Sequence, residues 1–375
     1  MKRVLILTAS YGSGHAEAAR SLAGAFAVRG AEPVVVDHFH ALVHPAFARV
    51  SGAVYYWLLR HVPAVWAFAY RLGDRMGPES PLAFGVPRLG VERLGGLLDA
   101  MRPDAVVTVH ATPAAAMAAL AASGRAVPPH TTAVTDFVAH SQWMPRPVDR
   151  YCVAAEEVRN EFVARGIPPD RVVVTGVPVR PEFSRAVDAT AAQRAWELAS
   201  DRPTVVAMAG TQGSLGRLPD VVRALLTVER PFQAVVVAGR DERLRAHLTR
   251  LAAGSPVRVV GYVENVRTLL AAADLLVTKA GGMTLAEATA AEVPLLLYGS
   301  LPGQEAGNER FASRSGIALV ARSRGELRRL LGRALADPEP TERMQASLRR
   351  LRRPDAAAHI VELVLGQITT RGGRR

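Results

Sequence analysis

Residues 278–308, T-K-A-G-G-M-T-L-A-E-A-T-A-A-E-V-P-L-L-L-Y-G-S-L-P-G-Q-E-A-G-N, leave the chain few folds to choose from. Leu275, Leu276 and Val277 make a short apolar run, Gly281 and Gly282 break it, and residues 283–292 carry a helical pattern with Thr284 near its start. A strand, a glycine turn and a helix N-terminus in that order form a parallel βα unit. Backbone N–H groups at such a turn approach an anion closely, and the helix dipole adds roughly half a positive charge there. A phosphate fits among Lys279, Gly281, Gly282, Met283 and Thr284. Glu287, one turn into the helix, can accept both hydroxyls of a ribose, while Gln304, Glu305 and Asn308 follow the next apolar run and offer donors and acceptors. Each feature alone also suits a plain turn, a solvated helix residue or a polar loop; their order and spacing point to a nucleotide.

The same alternation runs through the chain. Apolar runs at 3–9, 104–109, 131–134, 148–154, 171–175, 204–209, 233–238 and 257–260 read as strands. Helical patterns at 15–28, 86–101, 112–122, 326–335, 341–351 and 355–368 complete a doubly wound α/β architecture. At 375 residues and 49% hydrophobic content, two domains of ordinary size are expected. G-V-P-V-R-P at 176–181 breaks regular structure and marks the boundary. The single cysteine, Cys152, excludes an intrachain disulfide and a thiolate metal cluster. The N-terminal apolar run is too short for a signal peptide core, and no stretch reaches about 18 uncharged apolar residues. A soluble or peripheral cytoplasmic protein is expected. The net charge of +12 suits an anionic partner such as phospholipid or nucleic acid, although an arginine-rich composition also follows from a GC-rich genome.

Gly12, Ser13, Gly14 and His15 sit where the first strand meets its helix, the end of a parallel sheet at which ligands bind. Glu17 stands where a dinucleotide fingerprint needs its third glycine, so NAD survives only as a minor alternative through Asp37, and no nucleotide triphosphate P-loop occurs. His15 at a helix start has its pKa pushed down by the dipole and is able to take a proton, or else packs the loop. His38, His40 and His44 read as loop histidines rather than metal ligands, and no D-x-D is present to hold a nucleotide diphosphate through a cation. Residues 47–76 mix Tyr55, Tyr56, Trp57, Trp66 and Tyr70 with Arg49, Arg60, Arg71 and Arg75, a composition suited to a helix in a bilayer interface, or to core helices broken at Pro63. Thr135 and Asp136 arrive at a strand end, which makes Asp136 a second candidate base. In the second half, Gly210, Thr211, Gln212, Gly213 and Ser214 can cradle a diphosphate.

K-A-G-G-M-T-L-A-E-A followed by L-P-G-Q-E-A-G-N, with Y-G-S-G-H, V-T-D-F-V-A-H-S-Q-W and T-G-V-P-V-R-P-E-F, resembles the monogalactosyldiacylglycerol synthase and processive diacylglycerol glucosyltransferase family, relatives of the lipid II N-acetylglucosaminyltransferase. The resemblance covers most of the chain. It implies a GT-B fold: two Rossmann-like domains, 1–178 for a lipid acceptor and 179–353 for a UDP-sugar, a cleft between them, and a final helix within 354–375 crossing back. It implies inverting transfer of a hexose to diacylglycerol or a similar lipid, with His15 or Asp136 as base. Gly14 joins the donor set, uracil is read near Tyr262 and Val263, and Pro45, Tyr55, Trp57, Trp66, His140 and Trp143 belong to the acceptor and membrane side. Family members often carry three glycines where this chain has Gly12-Ser13-Gly14. No metal and no cofactor beyond the UDP-sugar is expected, nor a nucleic-acid partner, and the protein is expected on the inner face of the cell membrane. A UDP-N-acetylglucosamine 2-epimerase or a non-lipid UDP-glycosyltransferase shares the implied fold, and a basic nucleic-acid-binding protein would explain the charge but not Glu287 and Gln304.

Overall fold

The structure, a computed structural model, describes residues 1–9, 13–77, 89–210 and 217–372. Gly12, the predicted helical residues 86–88 and the cradle residues Thr211, Gln212, Gly213 and Ser214 lie outside the described residues. The chain forms two compact units: 1–181 with 302–304 and 353–375, and 182–301 with 305–352.

The first unit holds strands β1 (Arg3–Thr8), β2 (Glu32–Asp37), β3 (Ala105–Thr108), β4 (His130–Ala133), β5 (Arg150–Val153) and β6 (Val172–Val174). They pair in parallel in the order β2-β1-β3-β4-β5-β6. Val4 to Leu7 in β1 and Ala105 to Val107 in β3 are wholly buried, because helices cover both faces of a parallel sheet and its central strands need no polar side. Helices α1 (Ser13–Val28), α2 (Pro45–His61), α3 (Pro63–Met76), α4 (Val91–Met101), α5 (Ala111–Ala122) and α6 (Glu156–Ala164) follow in sequence. Gly90, at φ 78°, is the N-cap of α4, which begins at Val91. His38 and His40 lie in a π-helical turn, His38–Val43, rather than in a loop; Asp37 caps it, and His38 is fully buried with Nε2 2.8 Å from the Leu89 carbonyl. His44 caps α2 by accepting the Ala46 N–H.

The second unit holds β7 (Thr204–Met208), β8 (Gln233–Val237), β9 (Val257–Val260), β10 (Leu275–Thr278), β11 (Leu295–Tyr298) and β12 (Ala318–Ala321) in the order β12-β11-β10-β7-β8-β9, again parallel. Its helices are α7 (Ala189–Ala195), α8 (Leu218–Leu225), α9 (Glu242–Leu251), α10 (Val266–Ala271), α11 (Gly282–Ala291), α12 (Gln304–Arg314), α13 (Arg324–Ala336) and α14 (Glu339–Leu351). One core joins Val205, Ala207, Val236, Val277 and Leu296 on the sheet to Leu225, Leu248, Leu327 and Leu331 on α8, α9 and α13. Gln304, which opens α12, is grouped with the first unit and Glu305 with the second.

The final helix, α15 (Ala356–Gly372), belongs to the first unit and packs on α1. Its buried residues Ala356, Ala357, Ile360, Val361, Val364 and Ile368 recur at helical spacing and face the sheet layer. Thr131 on β4 donates to Gln367 at 3.0 Å, and Arg150 on β5 reaches the Leu363 carbonyl at 3.4 Å. Where the chain enters and leaves this unit, Gly176 has φ 85° and a Cβ added there would fall 2.5 Å from that of Arg353, so neither the conformation nor the space admits a side chain.

Candidate active site

A parallel sheet binds ligands outside the carboxyl ends of its strands, at the point where strand order reverses direction. In the first unit that point lies between β1 and β3, since β1 neighbours both β2 and β3. In the second it lies between β7 and β10. Both crevices hold the residues singled out from the sequence.

At the first crevice, α1 begins at Ser13 and carries Gly14 and His15 in its first turn. His15 Nδ1 lies 2.8 Å from the carbonyl oxygen of Val109, just past β3, and 3.0 Å from Thr135 Oγ1, just past β4. Three strand ends therefore fix one imidazole. Its pKa is lowered from 6.5; desolvation is the largest cause, opposed by the charge of Asp136 and by the bond to Val109. Asp136 is buried, and its Oδ2 accepts the indole N–H of Trp143 at 3.2 Å. Trp143 is itself buried, in a cluster with Val134, Met144, Tyr151 and Phe162, and its ring holds Asp136 in place. His140 is likewise occupied inside the protein: Nε2 bonds the Tyr70 carbonyl at 2.9 Å and Nδ1 accepts the Gln142 N–H at 3.2 Å. These contacts make it a tether for α3.

His110 was missed in the sequence. Its ring centroid is 4.6 Å from that of His15, with the planes at 77°. No spacing rule finds it, because β1 and β3 become neighbours only through the strand order.

Pro45 is exposed as the first residue of α2. Six of the eleven exposed large apolar side chains among the described residues lie on α2 and α3, and this concentration separates the pair from ordinary core helices. Val50, Val54 and Trp57 follow one face of α2, while Val65, Phe68 and Leu72 follow one face of α3. Arg49, Arg60, Arg71 and Arg75 are exposed beside them. The two tryptophans divide. Trp57 is 54% exposed and stacks on His61 at 5.1 Å. Trp66 turns inward, edge-to-face with Tyr55 at 4.9 Å, and a Cβ at Gly303 would lie 2.8 Å from its Nε1. No helix among the described residues is long and apolar enough to cross a membrane.

At the second crevice, Gly210 follows β7 with φ 75°, and Lys279, Ala280 and Gly281 follow β10. Gly281 is the N-cap of α11 and offers no side-chain cap, which leaves the first N–H groups of that helix to another acceptor. Around Gly281 stand Lys279 Nζ, Thr284 Oγ1 and Glu305 Oε1, at 3.5, 3.8 and 3.9 Å from where a Cβ would be. Met283 is half-buried in the same first turn. Lys279 pairs with Glu305, whose second oxygen accepts the Leu301 N–H at 2.8 Å. Glu287 is buried on α11. Asn308 is fully buried, and its amide donates to the Ala280 carbonyl at 3.1 Å, so it supports the turn. At the end of β9, Tyr262 is 43% exposed with the Arg240 guanidinium 4.3 Å over its ring, and Val263 follows half-buried.

Among the described residues no three His, Cys, Asp or Glu side chains converge as a metal site. Cys152 is buried on β5, which pushes its thiol up to about 12 and leaves it unreactive.

The N-terminal half matches the family described as monogalactosyldiacylglycerol (MGDG) synthase over residues 15–179, and residues 193–350 match glycosyl transferases group 1. The processive diacylglycerol beta-glucosyltransferase of Bacillus mycoides is 32% identical over 371 residues, covering 97% of this chain and 94% of that protein. The enzyme of the same name from Bacillus cytotoxicus is 31% identical over 366 residues, 97% of this chain and 93% of its own. Among solved structures, MurG of Acinetobacter baumannii superposes with a TM-score of 0.67 at 17% identity, covering 98% of this chain and all of that one, which shows the fold. The two doubly wound sheets are those of a GT-B enzyme, and the chain is a glycosyltransferase that belongs to the family of monogalactosyldiacylglycerol synthases and processive diacylglycerol glucosyltransferases.

Proposed function

We propose that the protein moves a hexose from a UDP-sugar to diacylglycerol or a lipid of that kind, with inversion at the anomeric carbon, while docked on the inner, anionic face of the cell membrane. The observation that carries the reading is the state of His15. A carbonyl oxygen only accepts, so Nδ1 facing Val109 holds the ring proton and Nε2 keeps its lone pair. Its lowered pKa keeps the ring neutral at pH 7. Nε2 then takes the proton of the acceptor hydroxyl as that oxygen attacks the anomeric carbon from the face opposite the diphosphate. One displacement inverts the configuration. The Asp136 charge favours the imidazolium that forms.

The leaving diphosphate gathers negative charge, and the uncapped N-terminus of α11 with the Lys279 ammonium supports its stabilisation without a metal ion. Glu287 accepts from the ribose, and Tyr262 with Val263 takes the uracil. The diacylglycerol acceptor is supported by the names of the curated relatives, which match nearly the whole chain, and by the apolar stripes of α2 and α3. A 2-epimerase has neither support.

The deciding assay supplies UDP-glucose, UDP-galactose and UDP-N-acetylglucosamine with diacylglycerol in phosphatidylglycerol vesicles, in excess EDTA. The expected product is a new glycolipid of inverted anomeric configuration. Epimerised nucleotide sugar with no glycolipid, or activity restored only by a divalent ion, sinks the reading. Glu287→Ala is expected to weaken UDP binding by about 1.5–3 kcal/mol, as for a hydrogen bond involving a charged group, which calorimetry measures directly.

Vesicle sedimentation tests the docking face. Trp57→Ser and Phe68→Ser are each expected to lower vesicle affinity by between roughly tenfold and roughly a hundredfold at every salt concentration, since each removes apolar burial worth about 1.5–3 kcal/mol. Added salt screens only the arginine contribution. Trp66→Ala, by contrast, is expected to lower the unfolding temperature.

A further inference from the structure

His110 lies two residues past β3, with its ring against that of His15, and its tautomer is set by the helix it starts. Nδ1 accepts the Thr112 N–H at 3.0 Å and so caps α5. In the neutral ring the proton is therefore on Nε2. A positive charge at that place would meet the positive end of the α5 dipole. Burial, then His15, then His38 hold its pKa well below 6.5. His15 is placed differently, because it also faces Asp136, whose charge favours the protonated ring. Of the two rings, His15 is the more easily protonated. Phe39 and Trp143, with centroids 6.2 and 6.5 Å away, flank the His110 ring.

We propose that His110 is a positioning residue for His15: a ring fixed in the Nε2–H form and edge-to-face with the base, it sets the plane of the His15 imidazole and keeps a second positive charge out of its surroundings. The inference rests on His15 acting as base, and the test separates the two. Among the described residues, Asp136 after β4 faces His15 and His38 after β2 faces His110.

His110→Asn keeps an oxygen where Nδ1 accepts the Thr112 N–H, so α5 stays capped while the ring is lost. His110→Asp keeps the cap and adds a negative charge beside His15. Initial rates are measured from about pH 5 to about pH 8.5 for the wild type and both variants, with thermal unfolding to establish that each is folded. The acid limb of kcat/KM is expected to move to higher pH by about one unit in His110→Asp, which adds a charge beside His15, and to stay close to that of the wild type in His110→Asn, which exchanges one neutral group for another. At pH 7, kcat of His110→Asn is expected to fall roughly tenfold with KM for the donor unchanged. An acid limb that stays where the wild type has it in folded His110→Asp overturns the proposal, and so does an unchanged kcat in folded His110→Asn. A His15→Ala enzyme that keeps both its rate and its acid limb instead overturns the assignment of His15, whatever the His110 variants do.

Discussion

Replacing His15 by alanine is expected to lower kcat by between about a hundredfold and about ten-thousandfold, the range for a positioned general base, while UDP affinity and folding stay those of the wild type. The sign of the pH dependence follows from the same ring. Desolvation lowers its pKa from 6.5 more than Asp136 and the Val109 bond raise it, so the base form dominates at neutral pH, and the acid limb of kcat/KM lies below pH 6.5. Asp136→Asn removes an attraction that favours the protonated ring, so the limb should move to lower pH with moderate loss of rate. If Asp136 is itself the base, the pattern reverses: Asp136→Asn loses transfer and His15→Ala retains it. Comparing the two variants across pH decides between the carboxylate and the imidazole.

Lys279→Met is expected to cost about 3 kcal/mol of stability and to abolish donor binding. The ion pair with Glu305 is largely buried, the side chains being 17% and 9% exposed, and removing one partner strands a carboxylate away from water. Breaking such a pair costs about 3–5 kcal/mol, and the residual exposure of Lys279 places this case at the lower end. Glu305 would keep its bond from Leu301, which neutralises nothing. Replacing both residues, Lys279→Met with Glu305→Leu, should recover most of the stability and none of the UDP affinity. Denaturant unfolding of the two singles and the double gives the coupling; a single variant as stable as the wild type would show that the pair is solvated.

The βα alternation was readable because the parallel strands are buried on both faces. Val4 to Leu7, Leu275 to Val277 and Leu295 to Leu297 stand out as apolar runs for that reason, and glycines or polar residues end them. His15, Asp136, Lys279 and Glu305 could be singled out for a related reason: each lies just past a strand or at a helix start, where an α/β chain carries its chemistry, and Glu287 lies one turn further into α11. Strand order is absent from local periodicity, so the neighbourhood of β1 and β3, and His110 with it, stayed hidden. The orientation of Trp57 and Trp66 stayed hidden as well. Aromatics on both faces of two short helices give no single stripe, and Gly303, which lies against Trp66, is more than 200 residues away in sequence. His140 and Asn308 were recognised as important residues, but both support the backbone of the site.

The docking of α15 on α1 bears on the order in which the molecule can be made. Domains usually fold as they leave the ribosome, the N-terminal one first. Here the sheet that begins at Arg3 remains without one of its covering helices until residues 356–372 are synthesised, because Ile360, Val361, Val364 and Ile368 supply part of its cover. The unit that holds Arg3 is thus completed after 182–301 and 305–352 already have every residue they need. A nascent chain arrested before Ala356 would hold a finished second unit joined to a first unit with an open apolar face. A chaperone recognising exposed hydrophobic surface would be drawn to the sheet made early only after the second unit is complete.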